Sequence, residues 1–464
     1  MIHTKHKNFT IYNASCLDVL DSLPPNSIDA IVTDPPYEIN FMSKGWDNSG
    51  VVFSVDTWKK CLRVLKPGGH LLAFNHSRTF HRMAVAIEDA GFQIRDTIMW
   101  MYGSGFPKSM NISLQMDKNA GLQGNRGSAI NVGGKGDRLD IDTSVSLTNG
   151  KLKPPYNDYK SLEAKQWEGW GTALKPSYEP IIMARKPLEG TIADNVLKHG
   201  VGGINVDECR VEYENTTNPA TNPKYRYNND YKVPKGGELS QGAVSFTSGK
   251  NGINNDGRFP ANTIHDGSDE VTDLFPSVDG SKGSGLTNTP AKSTFNQSID
   301  GINRVGYDDT GSAARFFYTA KASKKDRDEG LDTFEYQISS DRNKVDGVGA
   351  NNPRNRTGTP KRNIHPTVKP TELMQYLVRL VTPKGGTILD PFMGSGSTGK
   401  AAMIENNERE AQYHFIGVDL ETEYCDISKA RIEYGINYRE KKAKEEEVTT
   451  VGENQISIFE LENL

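Results

Sequence analysis

Five residues, Thr33-Asp34-Pro35-Pro36-Tyr37, follow directly on the apolar run Ile28-Asp29-Ala30-Ile31-Val32. That run has the length and character of a buried strand. Proline has no N–H to donate, so Pro35 and Pro36 prevent the ladder from continuing past Asp34. Asp34 and the carbonyls after it must then point at something outside the sheet. In an open α/β sheet, the space beyond a strand's carboxyl end is where ligands bind. The plainer alternative is a strand-ending turn that happens to contain an acid.

A second stretch, Asp390-Pro391-Phe392-Met393-Gly394-Ser395-Gly396-Ser397-Thr398-Gly399, lies between a strand at Thr387–Asp390 and a helix. It matches the glycine-rich strand-to-helix turn of nucleotide-binding folds. Gly394 and Gly396 allow the backbone to approach a ligand closely, and the helix offers free N–H groups. About 20 residues beyond the glycine turn, the spacing typical of such folds, Asp419 ends the strand at 414–419 and is placed to accept hydrogen bonds from ribose hydroxyls. Lys400 follows Gly399, but Ala401 comes next, so the Gly-Lys-Ser/Thr grip on a triphosphate is missing. A nucleoside without a triphosphate remains.

These stretches need a sheet to hold them. Residues 9–102 alternate strand and helix patterns. One helix starts at Asp56-Thr57, carries Trp58, Cys61, Leu62 and Leu65 on one face, and is expected to stop at Pro67-Gly68-Gly69. A short strand follows at 70–74. The next helix carries Phe80, Met83, Ala84 and Ile87 and ends by Gly91, and another strand spans 93–102. Residues 103–175 show little periodicity and read as a long, partly mobile insertion. The apolar segment 176–188 reads as a strand returning to the same sheet. Residues 189–360 are polar and rich in Gly and Asn, with ordered islands at 257–267 and 314–327. Alternation resumes at 361, where Thr371 is expected to cap a helix bearing Leu373, Leu377, Leu380 and Val381. The simplest architecture is one α/β sheet with helices on both faces, assembled from two separated chain segments.

The chain has 464 residues and a net charge of −4, with 25% charged residues, 45 Gly and 23 Pro. Mean hydropathy is −0.62. This length allows two or three domains with a core large enough to fold alone. The charge gives no global signal for nucleic acid, so any such binding needs local basic patches. No run of 18 apolar residues and no apolar leader is present, which points to the cytoplasm. The four cysteines, at 16, 61, 209 and 425, form no CxxC pair, and the nine histidines are scattered, so neither a disulfide framework nor a metal site is expected.

Taken in order, Asp-Pro-Pro-Tyr (34–37), His-Pro-Thr-Val-Lys-Pro (365–370), Asp-Pro-Phe-Met-Gly-Ser-Gly-Ser-Thr (390–398) and Phe-Ile-Gly-Val-Asp (415–419) resemble the beta-class amino methyltransferases of DNA. The resemblance covers roughly 1–110, 176–188 and 361–435. It implies a circularly permuted Rossmann-like methyltransferase sheet in which the catalytic motif precedes the cofactor motif and a target-recognition region lies between them. The implied divisions are a catalytic half at 1–188, a recognition region at 189–360 and a cofactor half at 361–438; by its charge run and composition, 439–464 reads as a charged, disordered tail. The implied cofactor is S-adenosylmethionine, bound by the residues matching Asp390, Phe392, Gly394, Ser395, Gly396 and Asp419 with help from His365, Thr367 and Lys369. The chain departs from the family near its start, where Ala14-Ser15 stand in place of a Gly-Asp pair. Asn13 or Asp18 is available as a substitute.

The resemblance also gives Asp34 a ligand. An exocyclic base amine is a poor nucleophile because its lone pair is delocalised into the ring. If Asp34 and the Pro35 carbonyl both accept from it, the nitrogen moves toward tetrahedral geometry and binding supplies the orientation for transfer. Pro35 and Pro36 stiffen the loop, and Tyr37 offers a face for an extruded base. An acid at the first position is more usual for adenine N6 than for cytosine N4. A glutamine methyltransferase and a non-catalytic DNA-binding protein on the same scaffold are the rivals. For contact with duplex DNA, two segments interleave aromatics and bases: 223–235, with Tyr225, Arg226, Lys232 and Lys235, and 314–327, with Arg315. The second reads equally well as a strand followed by a charged helix start. In the acidic tail, Gln455-Ile456-Ser457-Ile458-Phe459 resembles the peptide that grips the bacterial sliding clamp.

Overall fold

The computed structural model describes residues 1–39, 45–105, 109–122, 130–131, 147–148, 151–152, 159, 161–212, 257–278, 311–320, 323–337 and 361–443. The chain divides into two compact units, Met1–Gly103 with Tyr178–Leu464, and Ser104–Ser177.

Among the described residues, the larger unit is built on one ten-stranded sheet: β1 (Ile2–Lys5), β2 (Phe9–Asn13), β3 (Ile28–Thr33), β4 (Leu65–Phe74), β5 (Gln93–Met101), β6 (Tyr178–Arg185), β7 (Thr263–His265), β8 (Tyr318–Thr319), β9 (Thr387–Asp390) and β10 (His414–Asp419). They lie in the spatial order β1-β2-β10-β9-β3-β4-β6-β5-β7-β8. From β2 to β4 all pairings are parallel, whereas β6 runs antiparallel to both its neighbours. All six residues of β3 are buried, as expected for a parallel strand covered on both faces. Its alternate residues enter different cores. Ala30 and Val32 pack with α6 (Thr371–Val381), α7 (Ser397–Arg409) and α8 (Thr422–Ile436), while Ile31 packs with α1 (Cys16–Ser22), α2 (Val55–Val64) and α3 (Phe80–Asp89). This is the expected three-layer α/β sheet. The strand before the Asp-Pro-Pro-Tyr loop comes early in the chain, and the two strands around the glycine turn come late.

Several boundaries differ from expectation. Helix α2 ends at Val64, and β4 begins at Leu65 and runs through Pro67-Gly68-Gly69. Those residues serve a register shift against β3: a Cβ on Gly69 would stand 2.9 Å from the Asp29 carbonyl oxygen. Thr371 is the first residue of α6 rather than its cap. Pro370 holds the cap position, and the Asp326 carboxylate accepts the Thr371 N–H at 2.7 Å. The middle region contributes to the sheet itself. Segment 257–267 supplies β7, which pairs with β5, and segment 311–320 supplies β8 at the edge. Helix α4 (Ile192–His199) was not anticipated, although it carries a capping box between Thr191 and Asp194 and ends at Gly200.

Among its described residues the smaller unit holds two short helices, Ile112–Asn119 and Leu162–Gln166, in what reads from sequence as an irregular insertion. Asn111 and Ser161 cap them, and the Ser161 hydroxyl and N–H both donate to Asp117.

Candidate active site

Because β2, β10, β9, β3 and β4 run parallel, their carboxyl ends gather at one edge of the sheet. Asn13, Asp419, Asp390, Thr33 and Phe74 finish there. Strand β6 runs the other way, so its first residues, including Glu179, start at the same edge beside Phe74. This topology joins residues that lie far apart in sequence.

The Asp34 loop leaves β3 at that edge. Lys369 Nζ donates to Asp34 Oδ2 at 2.6 Å and lies 3.4 Å from Glu179 Oε2. Asp34 Oδ1 is buried and has no hydrogen-bond partner among the described residues. The Tyr37 hydroxyl donates to Glu179 Oε2 at 3.0 Å, and the Tyr102 hydroxyl reaches Glu179 Oε1 at 3.5 Å. The Lys369 ammonium stands 5.2 Å from the Tyr37 ring centre and 5.1 Å from that of Phe74, within cation–π range. Burial would push the ammonium toward neutrality, but Asp34 and Glu179 outweigh it and hold Lys369 above its ordinary range. Burial, followed by the charges of Asp34 and Glu179, keeps the Tyr37 phenol protonated.

The loop is also fixed from behind. Glu38 and Ile39 donate their backbone N–H groups to the buried Asp47 carboxylate, with Glu38 held at φ +54°. Thr79 donates to the Tyr37 carbonyl at 2.9 Å and to Asn75 Oδ1 at 2.7 Å. Pro35 is buried and Pro36 half-buried. Glu179, Asp47, Asn75 and Thr79 are absent from the sequence reading. The one local signal for Glu179 is an acid at the start of an otherwise apolar strand.

The glycine turn lies beside this loop. Asp390 accepts from the Thr33 hydroxyl at 2.6 Å, the Thr398 hydroxyl at 2.6 Å and the Phe392 N–H at 3.1 Å, so it ties β3 to the start of α7. Asp419 accepts from the N–H groups of Gly394 and Glu421, both at 2.9 Å. Burial raises the Asp390 carboxyl to about 6 and that of Asp419 to about 7. The glycines face protein atoms: a Cβ on Gly394 (φ +52°) would meet His365 Nε2 at 2.8 Å, and one on Gly396 (φ +74°) would meet Ser428 Cβ at 2.6 Å. Close packing of α8 and of the 365–370 segment thus dictates glycine here. His365 donates from Nδ1 to the Thr367 carbonyl and meets the Tyr424 ring edge-on at 4.6 Å. Burial lowers its pKa to about 4, leaving a neutral imidazole. Arg431, fully buried on α8, donates to the Ser395 carbonyl at 2.8 Å and to the Ser395 and Ser397 hydroxyls at 3.1 Å. Nothing local in the sequence marks Arg431.

Lys369, grouped by resemblance with the cofactor residues, has its ammonium on Asp34. Lys400 is fully buried between Asp326 and Glu329, at 2.6 and 2.7 Å, where no phosphate reaches it. The Asn13 amide donates to the carbonyls of Asp419 and Leu420, bracing the strand end where the usual Gly-Asp pair is missing, whereas Asp18 lies in the first turn of α1. Of the expected DNA contacts, Arg315 lies in a 3₁₀ turn before β8, donates to the Ser312 carbonyl at 2.5 Å and stacks on Phe316. Within 314–327 the described residues form this turn, β8 and, from Lys324, a short helix. Tyr225, Arg226, Lys232 and Lys235 lie outside the described residues, as does Gln455–Phe459. Among the described residues no helix is long and apolar enough to cross a membrane, and no group of three or more His, Cys, Asp or Glu forms a metal site.

A family model described as DNA methylase, covering N6 and N4 enzymes, matches residues 28–430, and the chain belongs to that family. The type II methyltransferase M.HindIII of Haemophilus influenzae is 26% identical over 239 residues, 42% of this chain and 64% of that protein. M2.DpnII of Streptococcus pneumoniae is 42% identical over 69 residues, 15% of this chain and 24% of that one. The chain thus spans less than two thirds of the length of these relatives. Among solved structures, M1.HpyAVI in complex with SAM aligns over 91% of this chain and 98% of its own at 14% identity and a TM-score of 0.34. The cytosine-N4-specific PvuII DNA methyltransferase aligns over 92% and 87% at 13% identity and a TM-score of 0.38.

Proposed function

We propose that this protein transfers a methyl group from S-adenosylmethionine to an exocyclic amine in duplex DNA, and that the target is N6 of adenine. The observation that carries this reading is Asp34 Oδ1, a buried acceptor with no partner among the described residues, at the carboxyl edge beside the glycine turn. A carboxylate in that state calls for an N–H donor from a ligand. The acid-first Asp-Pro-Pro-Tyr motif favours adenine over cytosine N4.

The residues around the glycine turn fit the cofactor. Asp419 offers acceptors for ribose hydroxyls, and Gly396 caps α7 with no side-chain hydrogen bond to its first N–H groups. When bound, S-adenosylmethionine supplies an electrophilic methyl group. Asp34 Oδ1 and the Pro35 carbonyl accept hydrogen bonds from the two amine N–H groups and free the nitrogen lone pair. Tyr37 stacks on the extruded base. After transfer, the nitrogen carries one proton too many, and Asp34 Oδ1 is placed to take it. Residues 189–360 read the target sequence, with Tyr225, Arg226, Lys232 and Lys235 on the DNA, and Gln455–Phe459 tethers the enzyme to a sliding clamp.

The test is nucleoside mass spectrometry of duplex DNA after incubation with the protein and methyl-labelled S-adenosylmethionine. Labelled N6-methyladenine is expected from wild type and none from Asp34→Ala, which should still bind the cofactor within a few-fold by calorimetry. Labelled N4-methylcytosine overturns the adenine assignment, and no labelled base overturns the reading as a whole.

A further inference from the structure

Resting on that reading, we propose that Lys369 and Glu179 act together as positioning residues for the transfer. Lys369 binds one oxygen of Asp34 so that the other is turned to the substrate amine. Glu179 holds Lys369 and Tyr37 in place and restores the negative charge that Lys369 removes.

The geometry divides the work in this way. A carboxylate beside an unpaired cation would offer it either oxygen. Here Oδ2 is taken at 2.6 Å by the ammonium of a side chain that is 7% exposed, and among the described residues Oδ1 is left without a partner. The ammonium cannot swing away, because Glu179 Oε2 lies 3.4 Å from it and the rings of Tyr37 and Phe74 flank it. The same Glu179 oxygen accepts the Tyr37 hydroxyl proton, so one carboxylate fixes both the ion pair and the aromatic face. Glu179 can do this because β6 is antiparallel and begins at the edge where its neighbours end.

The charge count gives Glu179 a second task. Asp34 and Lys369 alone sum to zero. With Glu179 the cluster carries −1, at the place where a methyl cation equivalent is handed to a neutral amine and positive charge builds on nitrogen. A fixed charge facing that development needs no reorganisation during the reaction, which is where electrostatic catalysis is strongest.

The experiment measures steady-state kinetics and cofactor affinity for four variants of the full chain. Glu179→Gln keeps the size and the acceptor for Tyr37 but removes the charge. It should lower kcat at least tenfold, with KM for DNA and the calorimetric Kd for S-adenosylmethionine changed less than threefold. Lys369→Met should lower kcat by about a hundredfold, the scale expected when a reacting group is displaced by about an ångström. Lys369→Arg should recover part of that loss, and Glu179→Asp should recover less because its carboxylate falls short of Tyr37. Wild-type kcat in Glu179→Gln overturns the proposal, and this near-isosteric variant decides even if Lys369→Met does not fold. A loss confined to KM or to cofactor affinity also overturns it. A wild-type protein that methylates no base indicts the proposed function instead, so the two failures are distinguishable.

Discussion

Asp390 and Asp419 end adjacent strands, yet their carboxylates are committed to different degrees. Asp390 receives two hydroxyls and one backbone N–H, which makes it a fastener between β3 and the glycine turn. Each oxygen of Asp419 accepts one backbone N–H and keeps a second lone pair. Burial, opposed by those N–H groups, raises the Asp419 carboxyl to about 7. The sign follows from linkage. An acid whose folded pKa lies above its unfolded value gives stability that is complete below the unfolded value and lost as pH rises through about 7. A ligand that donates hydroxyls to Asp419 reverses this by favouring the carboxylate, so it expels a proton on binding. Affinity for S-adenosylmethionine should therefore rise with pH up to about 7 and level off above it, with a proton released on binding below about 7. Calorimetry in two buffers of different ionisation enthalpy would detect that proton. Asp419→Asn should bind more weakly and show no such slope. A flat wild-type profile would remove Asp419 from the cofactor site.

At the scale of elements, the glycine turn is held by a segment that the sequence assigns elsewhere. Helix α5 (Lys324–Asp328) carries Asp326, whose carboxylate faces Lys400 at 2.6 Å and Arg431 at 3.6 Å and accepts the first N–H of α6 at 2.7 Å. Its neighbour Arg327 donates to the His365 carbonyl. Burial pushes the Asp326 carboxyl up, but Lys400 and Arg431 outweigh it and hold it below its ordinary value. Asp326→Ala leaves two fully buried cations with fewer partners, which costs roughly 3–5 kcal/mol. The variant should melt well below wild type and bind S-adenosylmethionine more weakly, because Arg431 fixes Ser395 and Ser397. An unchanged melting temperature would show that the network contributes nothing. This network also marks what the sequence could reveal. Strands β9 and β10 and the two motif loops were legible to the residue, because apolar runs, prolines and glycines act locally. Asp326, Lys400, Arg431 and Glu179 were not, because a charged residue carries no local sign of a partner a hundred positions away. Helix α4 was legible through Thr191, Asp194 and Gly200 but was obscured by its polar surroundings.

For the whole molecule, the decisive feature is where the smaller unit leaves the sheet. Strands β5 and β6 are antiparallel neighbours, and their last and first residues, Met101 and Tyr178, pair directly. Residues Ser104–Ser177 are therefore an excursion from what would otherwise be a hairpin. A sheet tolerates such an excursion at a hairpin tip because no ladder bond is interrupted, and loop closure changes only slowly with loop length. Replacing 104–177 by Asn-Gly, which with Tyr102 and Gly103 makes a four-residue loop, should give a protein that keeps β5 and β6 paired. It should bind S-adenosylmethionine within a few-fold of wild type, since Asp34, Lys369, Asp390 and Asp419 all belong to the larger unit. Glu179 keeps its place because its register against Trp100 is set by β5 and not by the excursion. Calorimetry and thermal unfolding of the shortened chain provide the check. Loss of cofactor binding in a folded product would mean that the smaller unit supplies part of the site. Cofactor binding retained with DNA methylation lost would assign the smaller unit to the substrate.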